Sequence, residues 1–325
     1  MLLLCSLECF AHQPIITILD SGHRTSLRGL SVVNDNIIWA SGSNGTVARS
    51  LNGGKNFEWL TVKGYEARDF RDVEAFDANT AIIMAVAEPA VILKTRDGGA
   101  TWKEVFRDTA KGMFLDAMDF VGDNGVVIGD PVANKIFLGY TKNGGDSWEV
   151  SKILDKIPAA DGEAFFASSG TNVVYMQGKF AVFVSGGKKS NYYNSSSIIY
   201  PLPLLQGKES TGANSIALQQ LNGVIVGGDF AKDTMTTGNC VLFNVFPFKT
   251  TLPETPPHGY RSCVTYTAKD KLITCGTSGV DISNDGGMNW KLISRQSFHV
   301  CQKAKNGHAV FLAGANGKIA RLGAF

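Results

Sequence analysis

Thr95-Arg96-Asp97-Gly98-Gly99-Ala100-Thr101-Trp102 is the stretch that decides how this 325-residue chain folds. An aspartate placed here folds its carboxylate back onto turn N–H groups, and two glycines supply the positive-φ positions of a tight reversal. The tryptophan then opens the next strand as a large apolar anchor. Three more copies occur: Ser50-Leu51-Asn52-Gly53-Gly54-Lys55-Asn56-Phe57, Thr141-Lys142-Asn143-Gly144-Gly145-Asp146-Ser147-Trp148 and Ser283-Asn284-Asp285-Gly286-Gly287-Met288-Asn289-Trp290. Their first residues, 50, 95, 141 and 283, are spaced by one, one and close to three periods in the mid-forties. A period of this length, built from turns and strands, predicts an all-β fold of stacked four-stranded units, a β-propeller. A chain of 325 residues holds about seven of them.

Composition narrows the function classes. A net charge of +2, 18% charged residues and 36 glycines describe a turn-rich β chain without the basic excess of a nucleic-acid binder. No apolar run reaches transmembrane length. Met1-Leu2-Leu3-Leu4-Cys5-Ser6-Leu7-Glu8-Cys9-Phe10-Ala11 reads as the back part of a signal peptide, without a positive n-region and with Ala11 as cleavage point. The expectation is residues 1–11 as leader, 12–325 as one seven-bladed propeller, and a periplasmic or secreted monomer. Cys240, Cys263, Cys275 and Cys301 have no metal-ligand spacing and read as buried thiols, with a disulfide as the alternative in an exported protein. No G-x-G-x-x-G, C-x-x-C, haem or copper pattern is present, so no cofactor and no metal is expected.

In chain order, Pro14–Asp20 is a strand with nothing before it to pair with, and Gly317–Phe325 holds a third strand lacking a fourth. The N-terminal strand is therefore expected to complete the last blade, a 3+1 closure that removes both edges of the ring. Apolar runs such as Ala81–Val86 and Gly223–Gly228 fit second strands covered on both faces. Blades four and five lack a recognisable Gly-Gly turn, and Lys188–Ser197 and Phe230–Asn239 read as longer loops.

The repeated turn resembles the Asp-box, or BNR repeat, of sialidases, sortilin-type receptors, xyloglucan-degrading glycosidases and the photosystem II assembly-factor family. A spacing near 45 and about seven units are most similar to the last of these. Ser26–Leu30, Gly162–Phe166, Val226–Phe230 and Gly259–Ser262 resemble its exported bacterial members. The resemblance implies a propeller and a binding role; the Asp-box itself says almost nothing about chemistry.

The turns join strands three and four, on the face away from the usual propeller ligand site, so Asp97, Asp285, Asn52 and Asn143 read as turn-stabilising. On the opposite face, inner-strand starts align Arg28, Arg71, Asp116, Glu163, Asn214, Arg261 and His299, and the loops between strands two and three add Glu88, Asp130, Lys188 and Asp229. Three converging guanidiniums could clamp an anion, or pair with Asp72, Asp116 and Glu163 as structural ion pairs. The expected ligand site is Arg28, Arg71, Asp72, Glu163, Tyr260, Arg261 and His299, binding a protein segment or a small anionic ligand. The alternative is glycoside hydrolysis by two carboxylates among Asp116, Asp130, Glu163 and Asp229. Against it, few aromatic side chains (Tyr192, Tyr193, Phe230) offer a surface on which a sugar could stack.

Overall fold

The computed structural model describes residues 15–154 and 158–323, so the leader at residues 1–11 lies outside the described residues. Seven antiparallel sheets stand in a ring. Their inner strands are Leu27–Val32, Phe70–Ala75, Leu115–Val121, Val173–Met176, Thr211–Gln219, Cys263–Ala268 and Val300–Lys303. Each packs on the next, and the last packs on the first. Blade seven takes its fourth strand from the other end of the chain: Ile16–Asp20 pairs antiparallel with Ile319–Leu322, in the register Ile16↔Leu322.

The apolar runs are continuous because each strand is buried on both faces. Alternate side chains of one strand join different layers: Ile83 packs with Trp39 of blade one, and its neighbour Ile82 with Leu115 and Val127 of blade three. Val126 and Ile128 face Phe183 and Tyr193 of blade four, and Val127 faces back. The core is thus a set of inter-blade layers, and the axis is left for polar groups.

The four repeated turns share one hydrogen-bond scheme. The Thr95 hydroxyl donates to Asp97 Oδ1 (2.8 Å) and accepts the Gly99 N–H (3.0 Å), and Asp97 Oδ1 accepts the Thr101 N–H (2.9 Å). Asn52 and Asn143 accept the same N–H from Asn56 (3.0 Å) and Ser147 (3.1 Å). The second glycine also touches the preceding blade. A Cβ on Gly145, at φ +79°, would lie 2.2 Å from Ile82 Cδ1. These turns are therefore inter-blade clamps as well as reversals.

Phe230–Asn239 is a loop as expected, and blade four departs from the expected layout. The segment read as loop Lys188–Ser197 contains the third strand of blade four, Asn191–Asn194, with Tyr192 and Tyr193 buried in the layers on either side. The Asp-box is replaced there by the Asn194–Ser197 turn, and in blade five by a two-residue hairpin between the paired Val245 and Phe248. Cys240, Cys263, Cys275 and Cys301 are buried free thiols. The described residues contain no helix long and apolar enough to cross a membrane, and no His, Cys, Asp and Glu cluster arranged to hold a metal.

Candidate functional site

The inner strands begin irregularly, and the irregularity aims side chains. Pairing jumps from Leu27↔Gly42 to Gly29↔Ser41, leaving Arg28 as the extra residue of a bulge. The same jump isolates Arg71, Asp116 and Asn214 in blades two, three and five. A bulge bends the strand and re-aims the extra side chain, so four of the aligned positions share one backbone device.

Blade four does not follow. Its inner strand is Val173–Met176, and Glu163 lies ten residues earlier, in a two-residue strand that pairs with Gly186–Gly187 at the inner edge of blade five. The buried Glu163 carboxylate accepts hydrogen bonds from Ser185 Oγ, Asn191 Nδ2 (2.9 Å), the Tyr193 hydroxyl (2.7 Å) and the Ala160 N–H (2.9 Å). It anchors the linker between blades three and four instead of facing the axis.

That linker crosses the channel. Ser168 accepts an Arg28 Nη1 hydrogen bond on its carbonyl (3.2 Å) and donates its hydroxyl to Asn214 Oδ1 (2.8 Å). Ser169 donates to the Ser262 carbonyl (2.7 Å). Gly170 lies against Asp72: a Cβ there would be 2.3 Å from Asp72 Oδ1. Residues 168–170 thus run from blades one and two to blades five and six. Above them is a cleft of about 440 Å³; below them, all seven blades line a chamber of about 310 Å³.

The cleft brings together Arg28, Arg71, Asp130, Tyr260 and His299. Arg28 is half-buried, and among the described residues no carboxylate forms an ion pair with it; burial, and then the neighbouring Arg71 charge, lower its pKa. Arg71 donates Nε–H to Asp69 (2.7 Å) and its guanidinium lies 5.8 Å from the centre of the Phe114 ring. Burial, reinforced by the charges of Arg28 and Arg71, holds His299 at about 4, so its imidazole is neutral at pH 7. Its Nδ1 lies 3.0 Å from the Leu27 carbonyl, which can only accept; Nδ1 therefore carries the hydrogen and Nε2 is left as an acceptor. The Tyr260 hydroxyl donates to Asn214 Oδ1 (2.8 Å), and burial pushes its pKa to about 12.

The other expected site residues lie elsewhere. Arg261 is fully buried and forks onto Asp281 through Nε (2.7 Å) and Nη2, with Nη1 on the Tyr260 carbonyl (2.8 Å). Two guanidiniums converge, and the third is structural. Asp281 is the missed partner, and it had a sequence signal: it stands two residues before Ser283 of the repeated turn, where blades one and two carry Ala48 and Leu93. Asp72 is buried toward the lower chamber and accepts the N–H groups of Val73 (2.8 Å) and Met118 (2.7 Å), joining blades two and three. Asp229 is buried and accepts the Ala231 N–H (2.9 Å). Glu88 accepts the Gly112 N–H, and Lys188 pairs with Asp161 (3.4 Å).

Of the four candidate catalytic carboxylates, Asp130 alone lines the cleft. The cleft is also more aromatic than the loops suggested. Phe114, Phe165, Phe166 and Phe230 line it beside Tyr260, and Phe166 and Phe230 meet edge to face at 5.8 Å. Three of these four come from segments between blades, where the expected layout had placed no site loops.

The photosystem II assembly factor YCF48 family matches residues 58–184. No curated protein sequence matches the chain. YCF48 from Cyanidioschyzon merolae shares 16% identity over 95% of this chain and 98% of its own, with a TM-score of 0.65. A structure of YCF48 bound to D1 peptide gives 17%, 97%, 98% and 0.65. The GH74 xyloglucanase of Xanthomonas campestris is more distant: 12% identity, 94% of this chain, 53% of its own and a TM-score of 0.59. At these identities the structural likenesses establish the fold. With the repeated turn, they show a BNR-type propeller that is similar, over residues 58–184, to the photosystem II assembly factor family.

Proposed function

We propose that the chain is a recognition module whose upper cleft binds a protein segment carrying a carboxylate beside an apolar or aromatic side chain. The observation that carries this reading is Arg28: a half-buried guanidinium without a carboxylate partner, next to a second arginine, in a wall otherwise made of aromatic rings. Two like charges held together out of bulk water leave an electrostatic deficit that an anion relieves. Phenylalanine faces then offer area for the neighbouring side chain at low entropic cost. A propeller of the same fold is known bound to a peptide, D1, which supports a protein ligand over a free ion. Carbohydrate hydrolysis ranks second because Asp130 alone of the four candidate carboxylates lines the cleft, and both hydrolytic geometries need two. Export belongs to the same proposal and is supported by the apolar leader.

Fluorescence anisotropy with short peptides bearing an acidic group beside an aromatic residue tests this. Arg28→Ala/Arg71→Ala is expected to weaken binding by about thirtyfold or more, as truncating a buried charged contact costs roughly 2 kcal/mol upward. Unchanged affinity in the folded double variant would remove the cleft as the site.

A further inference from the structure

Behind the arginines the cleft wall holds a second, unexplained feature. Asp116 is fully buried on its bulge, and neither carboxylate oxygen has a hydrogen-bond partner. The N–H groups of Ala167 and Asp130 come near without closing a bond, and Arg71 and Asp130 are its charged neighbours. A carboxylate ionised in that position would be desolvated without a hydrogen bond, with the nearby Arg71 charge offsetting only part of that cost. Burial thus disfavours the ionised form of Asp116, which lies next to Asp130, a carboxyl that lines the cleft. Asp130 Oδ1 accepts the Phe165 N–H (2.7 Å), which leaves Oδ2 without that tether.

We infer that the cleft takes up its anion together with a proton held on the Asp116–Asp130 carboxyl pair, so that an acidic partner is bound in mildly acid medium and released as the medium turns alkaline. This rests on the anion-binding reading of the same cleft. An ionised Asp130 and a bound carboxylate would repel each other across a poorly solvated cleft; a protonated Asp130 removes that repulsion and offers an O–H. Burial pushes Asp130 up to about 6, and it sets Asp116 well above the ordinary carboxylate range. Two other titratable groups facing this wall, His299 and Tyr260, do not change charge between pH 5.5 and 8. His299 is neutral above about 4, and Tyr260 is neutral below about 12. Asp69 is paired with Arg71, and Glu163 is turned into Ser185, Asn191 and Tyr193.

The test is isothermal titration calorimetry with N-acetyl-L-phenylalanine, whose carboxylate is ionised throughout this range. Wild type, Asp130→Asn and Arg28→Ala/Arg71→Ala are titrated at pH 5.5 and 7.5. Wild type is expected to bind about tenfold or more tightly at the lower pH. Asp130→Asn should bind at both pH values as wild type does at pH 5.5. The dependence of the wild-type enthalpy on buffer ionisation should show close to one proton taken up per ligand at pH 7.5, which decides the matter even if the Asn variant fails to fold. Equal affinity at both pH values with no proton uptake, or an Asn variant that keeps the wild-type pH slope, overturns the inference and leaves the anion site standing. Full binding by the folded double arginine variant, or no saturable binding by wild type at either pH, overturns both.

Discussion

At the scale of the residue, hydroxyls and imidazoles decide more here than net charge does. Thr95 is buried and serves two partners at once, Asp97 and the Gly99 N–H. Thr95→Val keeps the shape and orphans that N–H, so urea unfolding should show a loss of about 1–3 kcal/mol. Asp97 behaves differently because Asn52 and Asn143 already do its work in blades one and three. Hydrogen bonds from Thr101 and Thr95 hold its pKa down at about 2. Its stabilising contribution is present above the unfolded value near 3.8 and is lost as pH falls through about 2. Asp97→Asn should leave stability at pH 7 nearly unchanged and flatten acid unfolding over that window. His299 has a linkage of the same sign from a different cause, burial of the ring. Its folded pKa is depressed to about 4, so the neutral ring favours the fold above the unfolded value of 6.5, and that advantage fades as pH drops toward 4. Thermal melts from pH 7 to 4 should show a decline of up to about 3 kcal/mol that His299→Gln removes.

At the scale of the element, the bulged inner strands and the crossing linker build the cleft, and they were unequally legible in the sequence. The repeated turn could be read directly because its chemistry is local: hydroxyl, carboxylate and two glycines within a few residues. The strand starts could be aligned because Arg28 and Arg71 each stand where an apolar strand begins, although the bulge that turns them inward leaves no signature of its own. Arg261 occupies a similar place and turns away, since Asp281 waits for it in its own blade where blades one and two carry apolar residues. Blade four was misread for a physical reason. Gly162–Phe166 resembles a strand start, but distant partners on Ser185, Asn191 and Tyr193 hold it as a linker, and no local pattern reports such contacts. The linker itself can be tested at Gly170, whose φ is +66° and whose Cβ would meet Asp72 at 2.3 Å. Gly170→Ala should destabilise by about 2–3 kcal/mol, read as a lower melting temperature.

At the scale of the whole molecule, stability comes from a closed ring of layers in which every blade lends one face to each neighbour. Closure depends on a short strand from the far end of the chain, held by its pairing with Ile319–Leu322 and by the Trp59 indole N–H on Asp20 (2.9 Å). Deleting residues 1–21 should expose that edge, and size-exclusion chromatography should show a shift to larger species than the full chain gives. The linker across the axis has a consequence for traffic. A ring with an open bore can be threaded, with a polymer entering at one rim and leaving at the other. Here residues 168–170 stopper the bore, so a guest has a single doorway and must back out the way it came in. Anything that waits at that doorway controls both arrival and departure.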